Sequence, residues 1–247
     1  LSDLRTFRVG ALPSVAEKEP NSDFKSPQEV ALNTTVEGII QNEDVDYFVV
    51  EAKQGERITA EVEGIRLGDT MFDPYVAILD AARFELSTSD DAALLWQDGV
   101  ASVVAPADGK YIVQIRESSY GGNGRCHYRC HIGNYPRPLA VIPSGGKPGQ
   151  KVAVKFLGDI AGEMTQEIEL PAAEDIDHQV FAQDAKGISP SGNRFRVVNL
   201  DNSIEVEPNE SVEQATKAAV PVAFNGVLSS NTDKDFFGFT AKKGESY

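Results

Sequence analysis

The chain reads as an all-β protein built from tandem antiparallel β-sandwiches. Three observations carry that expectation. Apolar residues alternate with period two, as in Ile58-Ala60-Val62, Tyr111-Val113-Ile115 and Val152-Val154-Phe156, the pattern of strands buried on one face. Gly, Pro, Asn and Asp punctuate the runs at short intervals, for example Asp108-Gly109 and Tyr120-Gly-Gly-Asn-Gly124, which sets short strands joined by turns. Helical patterning is brief: only 27–32, 90–95 and 211–219 offer a turn or two.

The third observation is an internal repeat. Glu17-Lys-Glu19-Pro20-Asn21 returns as Glu205-Val-Glu207-Pro208-Asn209, and Gly38 as Gly226, at one offset of 188 residues. Asp44-Val-Asp46-Tyr-Phe48 returns as Asp233-Lys-Asp235-Phe-Phe237 with one residue inserted. Phe7-Arg8-Val9 aligns with Phe195-Arg196-Val197 at the same offset. The unit is out of phase with the sequence, which predicts a piece of a longer array in four parts. Residues 1–16 form the last strand of a preceding module, 17–135 a first β-sandwich, 136–204 a small second one, and 205–247 the opening third of another copy. That last part is expected to lack a complete core.

Composition bounds function. The 247 residues carry 38 acidic against 23 basic side chains, a net charge of −15. Such a chain repels nucleic acid and anionic lipid, and no run approaches the ~20 apolar residues of a membrane-spanning helix. Neither nucleic acid nor membrane insertion is expected. Two cysteines are too few for a disulfide scaffold.

The acids are not scattered. Glu17 and Glu19 are two apart, so an extended chain directs both carboxylates to one side. Pro20 stiffens the segment and Asn21 adds a carbonyl oxygen. Asp44 and Asp46 repeat the spacing at the head of another strand. Calcium takes six to eight hard oxygens, which these five side chains with backbone carbonyls and water would supply. In the repeat the corresponding set is Glu205, Glu207, Asn209, Glu210, Asp233 and Asp235. The alternative is a set of solvated turn acids repeated because the unit was duplicated. Extracellular calcium modules bind at ~0.1–1 mM, worth about 1 kcal/mol at millimolar calcium, so the ion would fix a linker between modules and not hold the fold.

Taken together, Glu19-Pro20-Asn21, Gly38, Asp44-Val-Asp46-Tyr-Phe48, Asp73-Pro74, Ala107-Asp-Gly109-Lys-Tyr111 and Tyr128 resemble the bacterial pre-peptidase C-terminal domain. The resemblance covers 17–135 and implies a jelly-roll-like sandwich that accompanies secreted enzymes or cell-surface proteins without catalysing anything itself. The collagen-binding domains of clostridial collagenases are similar and use calcium at the entry to the sandwich. Their ligand pattern falls here on Glu17, Glu19, Asn21, Asp44 and Asp46. Ser22 departs from it where an acid is usual, with Asp23 next to it. Residues 136–204, entered through Pro143-Ser-Gly-Gly-Lys-Pro-Gly149, look like a small immunoglobulin-like module.

Other motifs point elsewhere only weakly. Cys126-His127-Tyr-Arg-Cys130-His131 suggests metal or haem attachment. Read as a strand, however, it puts the thiols ~13 Å apart on a buried face and both histidines on the surface. No Gly-x-Ser-x-Gly, His-Glu-x-x-His or phosphate loop occurs, and Asp177-His178 reads as a solvent face. Trp96, Tyr111, Tyr120, Tyr128 and Tyr135 could form a sugar- or peptide-binding face, but most lie in phase with the core, and Tyr120 and Tyr135 are the better candidates for a surface patch. The expected protein is therefore a non-catalytic, calcium-stabilised spacer or adhesion module of a secreted, periplasmic or cell-surface protein. Its partners would be neighbouring modules of its own chain. The alternative is an accessory domain that binds a polysaccharide or an extracellular protein for an enzyme elsewhere in the parent chain. Nothing in the sequence names the ligand.

Overall fold

The computed structural model describes residues 7–93 and 95–246. The proposed strand over 1–16 therefore lies partly outside the described residues. The described chain is β throughout except for one 3-10 turn at Ile65–Leu67, and it divides into two compact units.

The first unit comprises residues up to Arg137 together with Gln183–Ser191. Its strands are β1 (Ser14–Ala16), β2 (Gln28–Glu29), β3 (Thr34–Ile39), β4 (Val45–Ala52) and β5 (Arg57–Glu63). They continue with β6 (Pro74–Leu79), β7 (Glu85–Ser89), β8 (Val100–Val104), β9 (Gly109–Glu117) and β10 (His127–Gly133). They form two five-stranded sheets, in the orders β1-β3-β10-β5-β8 and β2-β4-β9-β6-β7. All pairings are antiparallel except β1 with β3 and β2 with β4.

Period two explains how the sheets meet. Val36, Ile58, Ala60, Val62, Cys130 and Ile132 from one sheet share a single core with Phe48, Val50, Val76, Ile78, Val113 and Ile115 from the other. Burying a side chain of this size contributes about 1.5–3 kcal/mol, so the alternation fixes which face of each strand turns inward. Cys126 and Cys130 are buried thiols in this core.

Several local expectations are corrected. Residues 27–32 contain strand β2, the described residues of 90–95 form bends and a turn, and 211–219 contain the strand Thr216–Lys217, so the described residues of these stretches are not helical. Each is too short to offset the cost of helix nucleation, whereas pairing to a neighbouring strand satisfies its backbone. Ser14–Ala16, expected in the tail of a preceding module, is an edge strand of the first unit's own sheet.

The second unit holds 138–182 and the residues from Gly192 onward. Ala140–Ile142, Lys151–Leu157 and Met164–Glu169 form a three-stranded sheet. Val141, Val152, Val154, Phe156, Leu170, Val180, Phe195 and Val197 make its core. Further on, Asp201–Ile204 pairs parallel with Val222–Asn225, and Thr216–Lys217 pairs parallel with Phe237–Gly238. These are the pairings of β1 with β3 and β2 with β4, moved along by the offset of the sequence repeat. Phe239, Val212 and Leu228 stay exposed in this stretch.

Candidate metal centre

The first acidic group gathers where the chain runs from β1 into 17–21 and where β4 begins. Glu17 extends the parallel ladder, its N–H donating to the Glu37 carbonyl at 2.9 Å. Its Oε1 accepts the Ile39 N–H, also at 2.9 Å. Glu19 precedes a cis proline, and its Oε2 accepts the Asn21 N–H at 2.9 Å. The Asn21 carbonyl in turn accepts the Tyr47 N–H at 3.1 Å, which ties the segment to β4. Asp44 takes the Gln41 N–H on Oδ2 and the Ser22 hydroxyl on Oδ1, both at 3.1 Å. Ser22, the departure from the family pattern, thus orients an acid instead of adding one.

Oxygens of Glu19, Asp44 and Asp46 all lie within 4.8 Å of one another. Glu17 is outside that trio but shares Tyr128 with Asp46. The Tyr128 hydroxyl is 2.6 Å from Asp46 Oδ2 and 3.2 Å from Glu17 Oε2. One phenol proton serves one of them at a time. Burial, with Glu17 and Asp44 alongside, pushes the Asp46 carboxyl up to about 9 in spite of the tyrosine. Burial also raises Glu17. Two carboxylates this close repel by about 3 kcal/mol at an effective dielectric near 20. A proton or a cation at the cluster would relieve that repulsion.

Asn21 is the sharper sign. It is 1% exposed, and neither atom of its amide has a hydrogen-bond partner. Asp46 Oδ1 is buried and unpartnered as well. Leaving such groups unmet costs about 1–3 kcal/mol each. A hard cation among these oxygens would take the Asn21 side-chain Oδ1 and the Asp46 carboxylate together.

The second group repeats this. Glu205 Oε1 accepts the Val227 N–H at 2.7 Å, and Glu207 Oε2 the Asn209 N–H at 2.9 Å, again after a cis Glu-Pro bond. The Asn209 carbonyl accepts the Phe236 N–H at 3.0 Å. Oxygens of Glu205, Glu207 and Asp235 lie within 4.8 Å of one another. Asn209 is 0% exposed with both amide atoms unpartnered, as are Asp235 Oδ1 and Glu205 Oε2. Asp233 stands apart from the trio. Its Oδ2 binds the Ser229 N–H and hydroxyl at 2.6 and 2.7 Å, which hold its pKa down. Glu210 is exposed and not in the trio.

Sequence reasoning missed two kinds of residue. Tyr128 was read as core, and it is buried, but its hydroxyl reaches the acids. Gly38 and Gly226 stood out only as a repeated pair. A Cβ on Gly38 would run into the Glu17 carboxylate and the Tyr128 ring, and one on Gly226 into Asp235 and Glu205. The repeat of both glycines was the available signal.

Two surface assignments are reversed. His131 is 3% exposed, its Nδ1 2.8 Å from Thr35 Oγ1 and its Nε2 3.5 Å from Glu63. That hydroxyl–imidazole–carboxylate order resembles a catalytic relay, but Thr35 and Glu63 are buried too, and Glu63 is paired with Arg129 at 2.9 Å. Tyr135 is fully buried, its hydroxyl donating to the His131 carbonyl at 2.7 Å. His131 sits on the face of β10 that the sequence pattern gave to solvent, and Tyr135 lies two residues past the end of that strand. There, charged residues and the hairpin 183–191 cover them, among them Arg137 and Ser191 on Glu61. Trp96 and Tyr120 are exposed.

No protein-family model and no curated protein sequence matches the chain. Among solved structures, it is similar to the pre-peptidase C-terminal domain of collagenase from Bacillus anthracis, at 15% identity over 49% of this chain and 96% of that one, with a TM-score of 0.34. A periplasmic inhibitor of g-type lysozyme from Aeromonas hydrophila gives 15% identity, the same coverages and a TM-score of 0.30. A β-glucosidase from Paenibacillus barengoltzii gives 11% over 50% of this chain and 13% of its own, with a TM-score of 0.22.

Proposed function

We propose that this chain is a calcium-stabilised, non-catalytic spacer or adhesion segment of an exported or cell-surface bacterial protein. Its first unit would be a jelly-roll-like sandwich, its second an immunoglobulin-like module leading into another copy of the first. The observation that carries the cation is the buried, unpartnered amide of Asn21 set among carboxylates, repeated at Asn209. Bound there, calcium would clamp the segment entering each sheet to the strand that follows. The acidic surface fits a secreted, periplasmic or surface setting, and among the described residues no helix is long and apolar enough to cross a membrane. The partners are neighbouring modules of the same chain. A second reading, an accessory domain that binds a polysaccharide or an extracellular protein, is favoured by an aromatic depression on the first unit.

Calorimetric titration of the chelator-stripped protein with calcium tests the cation. Two sites are expected, with Asn21→Leu and Asn209→Leu each removing one and Glu210→Gln removing none. Absence of any binding at millimolar calcium would sink the reading.

A further inference from the structure

The outer face of the sheet β2-β4-β9-β6-β7, away from the shared core, carries a feature that uses none of the carboxylates above. Tyr47 and Gln114 are cross-strand partners there, and Val45, Arg116 and Tyr75 form the next row. A depression of about 470 Å³ opens over them, walled by Arg83 and Phe84 from the β6–β7 turn and by Tyr120 after β9. That size suits a small ligand.

Arg57, Arg66, Arg129 and Arg137 are all paired with carboxylates. Among the described residues, Arg83 and Arg116, like Arg125, Arg194 and Arg196, have no carboxylate within ion-pair distance, and these two stand together. Arg116 is held between two rings, its guanidinium 3.9 Å from the Tyr75 centroid and 4.4 Å from that of Tyr120. Its Nη1 donates to the carbonyls of Glu117 and Ser118 at 3.0 and 2.7 Å, while Nε has no partner. Arg83 lies 5.3 Å over the Phe24 ring and donates to the Tyr47 hydroxyl at 3.3 Å. The one acid in the lining, Glu85, accepts the Tyr75 hydroxyl at 3.1 Å.

Backbone conformation points the same way. Arg83 and Tyr120 have φ of 72° and 59°, two of five non-glycine residues in the left-handed region. Both conformations are strained for a residue with a side chain, and both residues wall the same depression. Phe84 and Tyr120 remain 69% and 50% exposed.

We propose that this depression binds an anionic oligosaccharide made of hexuronate sugars. Pyranose faces would stack on Tyr120 and Phe84, Gln114 would meet ring hydroxyls, and the guanidiniums of Arg83 and Arg116 would take a sugar carboxylate. Two unpaired guanidiniums on a chain of net charge −15 give the charge complementarity. It is local, because fields beyond ~8 Å are screened at physiological salt. The flat exposed rings favour a sugar, since an acidic peptide brings the carboxylate without a stacking face. This deepens the accessory-domain reading on residues that the cation reading does not use.

The test is titration of the full chain with trigalacturonic acid at one fixed calcium concentration, read by calorimetry and by the NMR signals of arginine Nε–H groups. Saturable binding with a Kd below about 1 mM is expected, several-fold weaker in high salt, with the Arg116 and Arg83 signals shifting. Arg83→Ala and Arg116→Lys should each weaken it about 10-fold, the latter because lysine keeps the charge but loses the fork and the stacking. Near-UV circular dichroism checks folding. If Arg116→Lys fails to fold, Arg83→Ala on its exposed turn decides. No saturation by about 10 mM, equal binding of neutral galactotriose, tighter binding of a hexaglutamate peptide, or undiminished affinity in Arg83→Ala would each overturn the proposal. Loss of calcium binding in Asn21→Leu bears only on the cation site.

Discussion

The two acidic groups share their local wiring and differ in their surroundings. In both, a glutamate caps the N–H one residue past the repeated glycine, Ile39 or Val227. In both, a second glutamate binds the N–H of a buried asparagine two residues on. Yet Asp46 is fully buried and meets a tyrosine from β10, whereas Asp235 is half-buried and has none. The short segment thus encodes the geometry by itself. Desolvation, and with it the carboxyl pKa, comes from strands that arrive later in the chain.

A third set of buried acids sharpens this. Burial pushes Glu61 up as it does Asp46, but Arg137, Arg66 and His131 outweigh it and hold Glu61 at about 2. Glu61 has its cations in the fold, while the groups described beside Asp46 are a tyrosine hydroxyl and two further acids. Replacing Glu61 with Gln should therefore have the largest effect, about 3–5 kcal/mol, because it leaves two guanidiniums buried beside a neutral group. Urea denaturation measures this, and a loss under 1 kcal/mol would contradict the contrast.

Next in size is Gly38→Ala, expected to cost about 3 kcal/mol because the new methyl meets both the Glu17 carboxylate and a fixed tyrosine ring. Gly226→Ala should cost less than half of that, since half-buried Glu205 and Asp235 can swing away. Equal losses would show that the two sites are equally rigid.

Smallest, and most diagnostic, is pH dependence without calcium. Asp46 has its folded pKa raised from 3.8 to about 9. Its contribution is complete below about pH 4 and is lost as pH rises through 9. Glu61, lowered from 4.5 to about 2, contributes fully above pH 4.5 and loses that contribution as pH falls through 2. Metal-free Asp46→Asn should thus be more stable than the parent protein at pH 8 and match it at pH 4. Calcium should reverse the order at pH 8. Melting curves with chelator and with calcium check both, and a parent protein indifferent to pH between 5 and 8 would break the comparison.

Much of this was legible from spacing. Period-two alternation set the inward face of β5, β9 and β10, and the repeat located both acidic groups. These interactions are short in sequence, or join adjacent strands, so local order suffices. Membership of the trios was not legible. Asp233 has the spacing of Asp44 and accepts the matching backbone N–H, from Ser229 as Asp44 does from Gln41, yet only Asp44 joins its trio. The outward face of β10 was misjudged because alternation tells which residues share a face and not what covers it.

The amino-acid sequence alone settles an all-β chain, a −15 charge and a twice-written acidic motif, since composition and periodicity act through neighbours along the chain. Only tertiary structure decided that Tyr128 meets Asp46, that His131 is buried, and that Arg83, Arg116 and Tyr120 share one depression. Those meetings depend on cross-strand register and on what lies over each sheet, which are sums over distant segments that no local pattern records.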